Sequence, residues 1–308
     1  MAHQRSVPHG PSPAGARREE PGIITSRHNQ WMKRFRAALR GNGPRQGEPI
    51  GVEGPKLVED ALRSGLEAEA LLVSEAGGRA AAQVLRAASE SQAGVPRLRI
   101  LRITNDLFKD VAGTDSPQGL AALLKQRAWT FDDILRGPET VRESAPLVIV
   151  LAAVQDPGNV GTILRSAEAF GATGAVAARG TADPWAPKAL RASAGSALRL
   201  PLLRGMAIPV ILAQLRIAGV RVYATASTQP ADARAASGSS SEADFCEPAA
   251  IFVGSEGSGV PPEVMRAADG VVSIPTRATV DSLNAGVAAS IVLYQAARQR
   301  ERALRSKP

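Results

Sequence analysis

The run Leu147-Val-Ile-Val-Leu-Ala-Ala-Val154 is apolar without a break, and it constrains the fold more than any other stretch of this 308-residue chain. A strand with one wet face alternates apolar and polar residues. One that is apolar on both faces has to be covered on both, as happens inside a parallel sheet flanked by helices. Parallel neighbours need long crossover connections, and the downstream sequence supplies them. Further strands are expected at 174–178, 220–224, 249–253 and 271–274, with helices at 160–170, 187–195, 209–218, 261–268 and 283–302.

The first half alternates in the same way on a smaller scale. A basic helix is expected at 29–40, ended by Gly41-Asn-Gly, with strands at 50–52, 70–74, 98–101 and 119–124 and helices at 55–64 and 79–91. The chain therefore divides into a disordered basic tail (1–23), a small α/β domain (24–126), a charged linker interrupted by Gly-Pro (127–146), a larger α/β domain (147–302) and a second basic tail (303–308). Residues 227–247, rich in Ser, Ala and Gly, read as a mobile loop.

Composition excludes several classes. Hydrophobic content of 44% and charged content of 21% suit a globular domain protein, and no apolar run reaches the ~20 residues a membrane span requires. The first residues lack the apolar centre of a secretory signal, so the expected compartment is the cytoplasm. Cys246 is the one cysteine, and the three histidines (His3, His9, His28) cluster near the start without ligand spacing, so no metal is expected. The net charge of +8 is uneven: residues 1–50 carry +6 and residues 295–308 carry +4. Such ends suit a polyanionic partner, and they equally suit a solubilising tail.

Three segments of the larger domain carry chemistry. In Asp156-Pro-Gly-Asn159-Val-Gly-Thr-Ile-Leu-Arg165-Ser-Ala, residues Val160, Ile163, Leu164, Ala167 and Phe170 share a helical face while Thr162, Arg165 and Ala169 face away. Arg165 then projects from a helix that follows a strand, near the carboxyl edge where open α/β sheets bind ligands, or is a solvated surface charge. Asn159 reads as the helix N-cap or as a site residue. In Ile251-Phe-Val-Gly254-Ser-Glu256-Gly257 a strand runs into a glycine-rich turn carrying an anion. It lacks the Gly-Lys-Ser/Thr ending of a phosphate loop, and Glu256 suits a ligand with hydroxyls or positive charge. A plain strand-to-helix turn, with Pro261 or Pro262 opening the helix, accounts for the glycines too. In Ile274-Pro-Thr-Arg-Ala-Thr-Val-Asp-Ser282-Leu283-Asn284 a strand ends and a final helix starts at Asp281 or Ser282, with small residues in its first turns.

In this order and spacing the three segments closely resemble the motifs of the SpoU/TrmH family, whose members move a methyl group from S-adenosylmethionine to a ribose 2′-hydroxyl of RNA. The resemblance covers 147–300. It implies a trefoil-knotted α/β methyltransferase domain, which the residues themselves do not reveal, and a homodimer with active sites near the subunit interface. It also implies catalytic roles for Asn159, Arg165, Glu256, Ser282 and Asn284, and cofactor contacts at Gly254, Ile274 and Leu283, with Thr225 as a further candidate. Thr276 stands where methionine is common in the family, and Ala278-Thr279 replaces smaller pairs. In the first half, Ile24-Thr-Ser-Arg-His-Asn-Gln, Val52-Glu-Gly-Pro-Lys-Leu-Val-Glu-Asp-Ala61 and Asp115-Ser-Pro-Gln-Gly119-Leu-Ala resemble parts of the substrate-binding domain of SpoU-type enzymes. RNA contacts are then expected at Arg27, Lys33 and Arg34, and at Arg191 in the family-like phrase Lys188-Ala-Leu-Arg191-Ala-Ser193-Ala-Gly195. The two-domain layout points to ribosomal rather than transfer RNA by analogy. The alternative is a non-catalytic RNA-binding factor that keeps the fold. A nicotinamide-dependent oxidoreductase is disfavoured because no Gly-x-Gly-x-x-Gly follows an early strand.

Overall fold

The computed structural model describes residues 23–90, 98–141, 144–226, 237–239, 243–277 and 282–306. The expected N-terminal tail before residue 23, Asp281, Ala278-Thr279 and most of the 227–247 loop lie outside the described residues.

Short apolar strands in the first half form a four-stranded sheet from β1 (Ile50–Glu53), β2 (Ala68–Ser74), β3 (Arg99–Ile103) and β4 (Leu120–Leu124), ordered β1-β4-β2-β3. Strand β4 is antiparallel to both neighbours, whereas β2 and β3 run parallel. Its helices are α1 (Gln30–Arg40), α2 (Pro55–Arg63), α3 (Gly78–Glu90) and α4 (Asn105–Val111). Met32, Phe35 and Leu39 of α1 and Leu107 and Phe108 of α4 cover one face. Val58 and Leu62 of α2, with Val84 of α3, cover the other, and that core runs on without a break into the second half.

The second half holds α5 (Phe131–Arg136), β5 (Leu147–Leu151), α6 (Pro157–Ala169), β6 (Gly174–Ala178), α7 (Pro187–Ser193), α8 (Ser196–Arg199), β7 (Leu202–Met206) and α9 (Ile208–Ile217). It continues through β8 (Arg221–Ala226), β9 (Ser237–Ser239), β10 (Ala249–Val253), α10 (Pro262–Ala267), β11 (Gly270–Ser273) and α11 (Ala285–Arg305). The seven strands form one sheet, ordered β7-β6-β5-β10-β8-β11-β9, and each pairing is parallel. Every residue of β5, β6 and β10 is buried, as the unbroken apolar run required. Leu147, Ile149 and Leu151 face α6 and α11, and Val148 and Val150 face α5, α9 and α10. From β5 the chain moves outward to β6 and β7, then returns to build β8 on the far side of β10. The carboxyl ends of β5 and β10 thus flank the point where strand order reverses, the crevice in which such sheets bind ligands.

Several expectations need correction. Strand β5 stops at Leu151, not at residue 154, because Ala153 turns into the left-handed region (φ 63°). Helix α6 starts at Pro157 with Asp156 as its N-cap, so Asn159 is not the cap. The helix expected at 187–195 breaks into α7 and α8, with Ala194 (φ 48°) and Gly195 (φ 86°) both left-handed between them. Helix α11 starts at Ala285 with Asn284 as N-cap, and it extends to Arg305, so 303–305 are helical rather than tail. The linker contains α5, capped by a reciprocal Thr130–Asp133 box. Its Ile134 is buried against the larger sheet. The sequence reading also missed α4, β7 and β9. No helix among the described residues is long and apolar enough to cross a membrane.

Candidate active site

Asp156-Pro157 starts α6 where β5 turns outward. The Asp156 carboxylate accepts from the Asn159 backbone N–H at 3.0 Å, and Pro157 takes the first helical position, which needs no N–H. Lys188 Nζ donates to the same carboxylate at 2.7 Å. That hydrogen bond, then the one from the Asn159 backbone, holds the Asp156 carboxyl below the usual carboxylate range. Gly161 lies where α6 crosses α7, and a Cβ there would overlap the backbone at Ala189 and Ser193.

The turn after β10 folds back on itself. Ser255 and Gly259 exchange backbone hydrogen bonds (3.2 and 2.9 Å), which puts Glu256 at the tip. A Cβ on Gly254 would run into the backbone of Gly259 and Val260, so the tight return requires glycine. The third segment arrives from β11 and ends at Asn284, whose Oδ1 accepts from the Gly286 and Val287 backbone N–H groups at 2.9 and 3.3 Å. With its oxygen committed to the cap, the Asn284 amide donates from Nδ2. It reaches Glu256 Oε1 at 2.8 Å and Asn159 Oδ1 at 3.0 Å. Asn159 Nδ2 donates to Glu256 Oε1 at 2.6 Å. Residues 125 positions apart in sequence thus close into one cluster, with a carboxylate oxygen held by two amides.

Beside this cluster a cavity of about 270 Å³ opens at the carboxyl ends of β8, β10 and β11. Thr225, Gly254, Ile274 and Leu283 line it, together with Glu256 and Ser282. Its walls mix apolar side chains (Val272, Val292) with exposed turn backbone and hydroxyls, those of Ser255, Ser258 and Thr276 among them. Thr225 Oγ1 donates to the Phe252 carbonyl at 2.9 Å, tying the ends of β8 and β10 together. A ligand with a flat apolar part, hydroxyls and a cationic centre matches this lining, and Glu256 supplies the counter-charge. S-adenosylmethionine is such a ligand.

The expected residues divide into three groups. Asn159, Glu256 and Asn284 meet directly, and Ser282, Thr225, Gly254, Ile274 and Leu283 join Glu256 around the cavity. Arg165 is exposed on α6, three residues beyond Thr162, which packs against Gly286 of α11. It makes no hydrogen bond or ion pair with another described residue. Arg191 is likewise exposed and unpaired among the described residues, on α7 beside α6. In the first half Lys33 is exposed, whereas Arg27 pairs with Asp110 at 2.8 Å and Arg34 pairs with Glu69 and stacks on Trp31. Asp156 and Lys188 had no assigned role, although Asp-Pro ahead of a periodic helix is itself an N-terminus signal. Ser255 and Ser258 carried no signal that distinguishes a lining hydroxyl from an ordinary turn serine.

The SpoU rRNA Methylase family profile matches residues 146–294, and an MRM3-like substrate binding domain matches 45–122. An uncharacterized tRNA/rRNA methyltransferase of Synechocystis sp. is 32% identical over 90% of this chain and 93% of its own length. The 23S rRNA (guanosine(2553)-2′-O)-methyltransferase RlmP of Bacillus subtilis is 33% identical over 79% of this chain and 86% of its own. The crystal structure of the SpoU methyltransferase AviRb from Streptomyces viridochromogenes, in complex with the cofactor AdoMet, superposes with a TM-score of 0.72. It is 27% identical, covering 89% of this chain and all of that one. The chain belongs to the SpoU methylase family. It is an S-adenosylmethionine-dependent RNA 2′-O-methyltransferase.

Proposed function

We propose that this enzyme methylates a ribose 2′-hydroxyl of ribosomal RNA, with the cavity beside Glu256 as the cofactor site and the surface around Arg165 as the place where the ribose approaches. The observation that carries this reading is the Asn159–Glu256–Asn284 cluster at the rim of a cavity lined by Thr225, Gly254, Ile274 and Leu283. RlmP, named for action on 23S rRNA, supports ribosomal over transfer RNA. When bound, S-adenosylmethionine supplies a methyl group on a sulfonium, a leaving group that departs as a neutral thioether.

The protein's part is then alignment, charge placement and removal of one proton. Backbone groups at Gly254, Ile274 and Leu283 hold the cofactor, and the Thr225 hydroxyl keeps the floor closed. The Glu256 carboxylate faces positive charge, kept in place by the two asparagine amides, and Ser282 offers a hydroxyl at the same rim. Arg165 offers a forked, delocalised cation with no free lone pair, so it serves as orienter and not as base. It holds the target phosphate and stabilises the developing alkoxide while the proton leaves to phosphate or water.

RNA reaches this edge from the first half of the chain. Lys33 and Arg191 offer cations with no ion-pair partner among the described residues, and Arg27 and Arg34 contribute by exchanging a carboxylate partner for phosphate. The reading further includes a cytoplasmic homodimer and trefoil threading of the segment leading to α11. Val287, Ile291 and Tyr294 form an exposed apolar stripe on α11, and Phe170 of α6 meets Tyr294 edge-on with ring centroids 5.6 Å apart, which suits a subunit interface beside the site. The test is mapping of 2′-O-methyl positions in RNA from cells with and without the gene, followed by methylation of the identified RNA with purified protein. A map unchanged in ribosomal RNA sinks the substrate assignment.

A further inference from the structure

The two halves of the chain meet at a half-buried polar cluster away from the cavity. Asp183, in the loop between β6 and α7, accepts from the Trp185 backbone N–H at 2.8 Å and pairs with Arg204 of β7. The Arg204 guanidinium lies over the Trp185 ring, 4.6 Å from its centroid. It also donates to Gln126 Oε1 at 3.2 Å. Gln126 follows β4 of the first half, and its Nε2 donates to the Arg45 and Glu48 carbonyls at 2.6 and 2.5 Å. Gly43 (φ +112°) presses so closely on Asp183 that a Cβ would overlap the carboxylate. Burial pushes the Asp183 carboxyl up, against the opposing pull of the Trp185 N–H and Arg204. Leaving either charge unpaired here is costly, so the pair and its Gln126 contact hold as a unit.

The same loop carries this contact to the active-site cluster. Thr181 Oγ1 donates to the Leu151 carbonyl at 2.8 Å and accepts from the Ala153 N–H at 3.1 Å, and Ala182 N donates to the Val154 carbonyl at 2.9 Å. These bonds hold Ala153 in its left-handed turn, three residues before the Asp156 cap that supports Asn159. On its other side the loop runs into α7, whose Lys188 grips Asp156 directly. Two short routes therefore connect Gln126 with the residue that presents Asn159 to Glu256.

We propose that Asp183, Arg204 and Gln126 are positioning residues that lock the RNA-binding half onto the loop presenting Asn159, so that RNA held by one half meets the methyl donor of the other in register. This deepens the assignment of ribosomal RNA methylation and rests on it. Gln126→Ala and Arg204→Met, made separately and together in the full chain, are to be assayed for methylation of ribosomal RNA and for S-adenosylmethionine affinity by calorimetry. The expected result is kcat lower by about 10- to 100-fold, the scale on which a small misplacement of reacting groups acts. Cofactor affinity should stay within about twofold, and the double variant should lose no more than the worse single one. Wild-type kcat in both single variants overturns the proposal, and so does a loss confined to KM for RNA, which a mere binding surface would produce. If Arg204→Met does not fold, Gln126→Ala decides alone. Should the parent protein leave ribosomal RNA unmodified, the substrate reading fails, and amide exchange at 152–156 then judges the lock by itself. Faster exchange in Gln126→Ala supports it, and unchanged exchange overturns it.

Discussion

Helix α1 and the α6–α7 pair carry arginines that look alike in sequence and are used in opposite ways. On α1, Arg40 donates to the Ala112 and Lys109 carbonyls at 2.8 and 3.1 Å, and Arg36 donates to the Asp110 carbonyl at 3.4 Å. Those carbonyls close the C-terminal end of α4, where cationic donors satisfy orphan acceptors and oppose the helix dipole. Arg34 pairs with Glu69, and its guanidinium shares the Trp31 ring with that of Arg99. Arg165 and Arg191, by contrast, stand exposed with no partner among the described residues. The helix with the denser basic composition spends most of its charge inside its own half, and the sparser region leaves its two arginines exposed.

This contrast predicts different failures. The largest concerns Arg165→Ala: methyl transfer should fall by about 10² to 10³ with cofactor affinity unchanged, since the interaction acts on charge that develops during transfer. Arg165→Lys should recover little, because a point charge does not reproduce a two-pronged guanidinium contact. Single-turnover methylation at saturating RNA, run beside cofactor calorimetry, measures both, and near-normal turnover in the alanine variant would make Arg165 an ordinary surface charge.

Next in size, Arg40→Ala should cost stability of about 1 kcal/mol, the scale of a partly exposed hydrogen bond from a charged donor. The salt dependence of RNA binding should not change in that variant. Denaturant midpoints and RNA titrations at two ionic strengths test the pair of claims, and a changed salt slope would put Arg40 on the RNA. Arg191→Ala should do the reverse, leaving the unfolding midpoint alone while weakening RNA binding severalfold and lowering the log–log salt slope by about 1.

The smallest effect concerns pH. The Asp156 carboxyl is lowered in the folded protein by Lys188 and the Asn159 N–H, so its contribution to stability is present above the unfolded carboxyl value of ~3.9 and fades as pH falls through the lower folded value. Because Asp156 is exposed, the contribution is slight. Asp156→Asn should flatten the acid limb of the stability curve in that window. An identical limb in both proteins would mean that Lys188 does not discriminate the charged cap.

Where the strands lie was legible because burial on both faces leaves no alternative to an unbroken apolar run: Gly174–Ala178 and Ala249–Val253 match their expected bounds. Leu202–Met206 escaped because an edge strand needs only half of that pattern, and its Arg204 serves the junction instead of the core. Helix α5 escaped because six residues show too little periodicity, although the Thr130–Asp133 box was readable. The cap stood open as an alternative for Asn159 because Asn and Asp are near-equal caps. The proline after Asp156 decides between them, since it suits the first helical turn.

The residues that meet at the candidate site were likewise readable one by one, as members of the three segments. Their use was not. Asn284 donates to Glu256 and Asn159 because its oxygen is already taken by the start of α11. The junction at Asp183, Arg204 and Gln126 has no local signature at all. Sequence determines what each residue is able to donate, accept or bury, and through periodicity it determines which segments must be covered. Which donor meets which acceptor depends on chain segments that are distant in sequence, and burial then makes each unpaired group costly enough to select one arrangement.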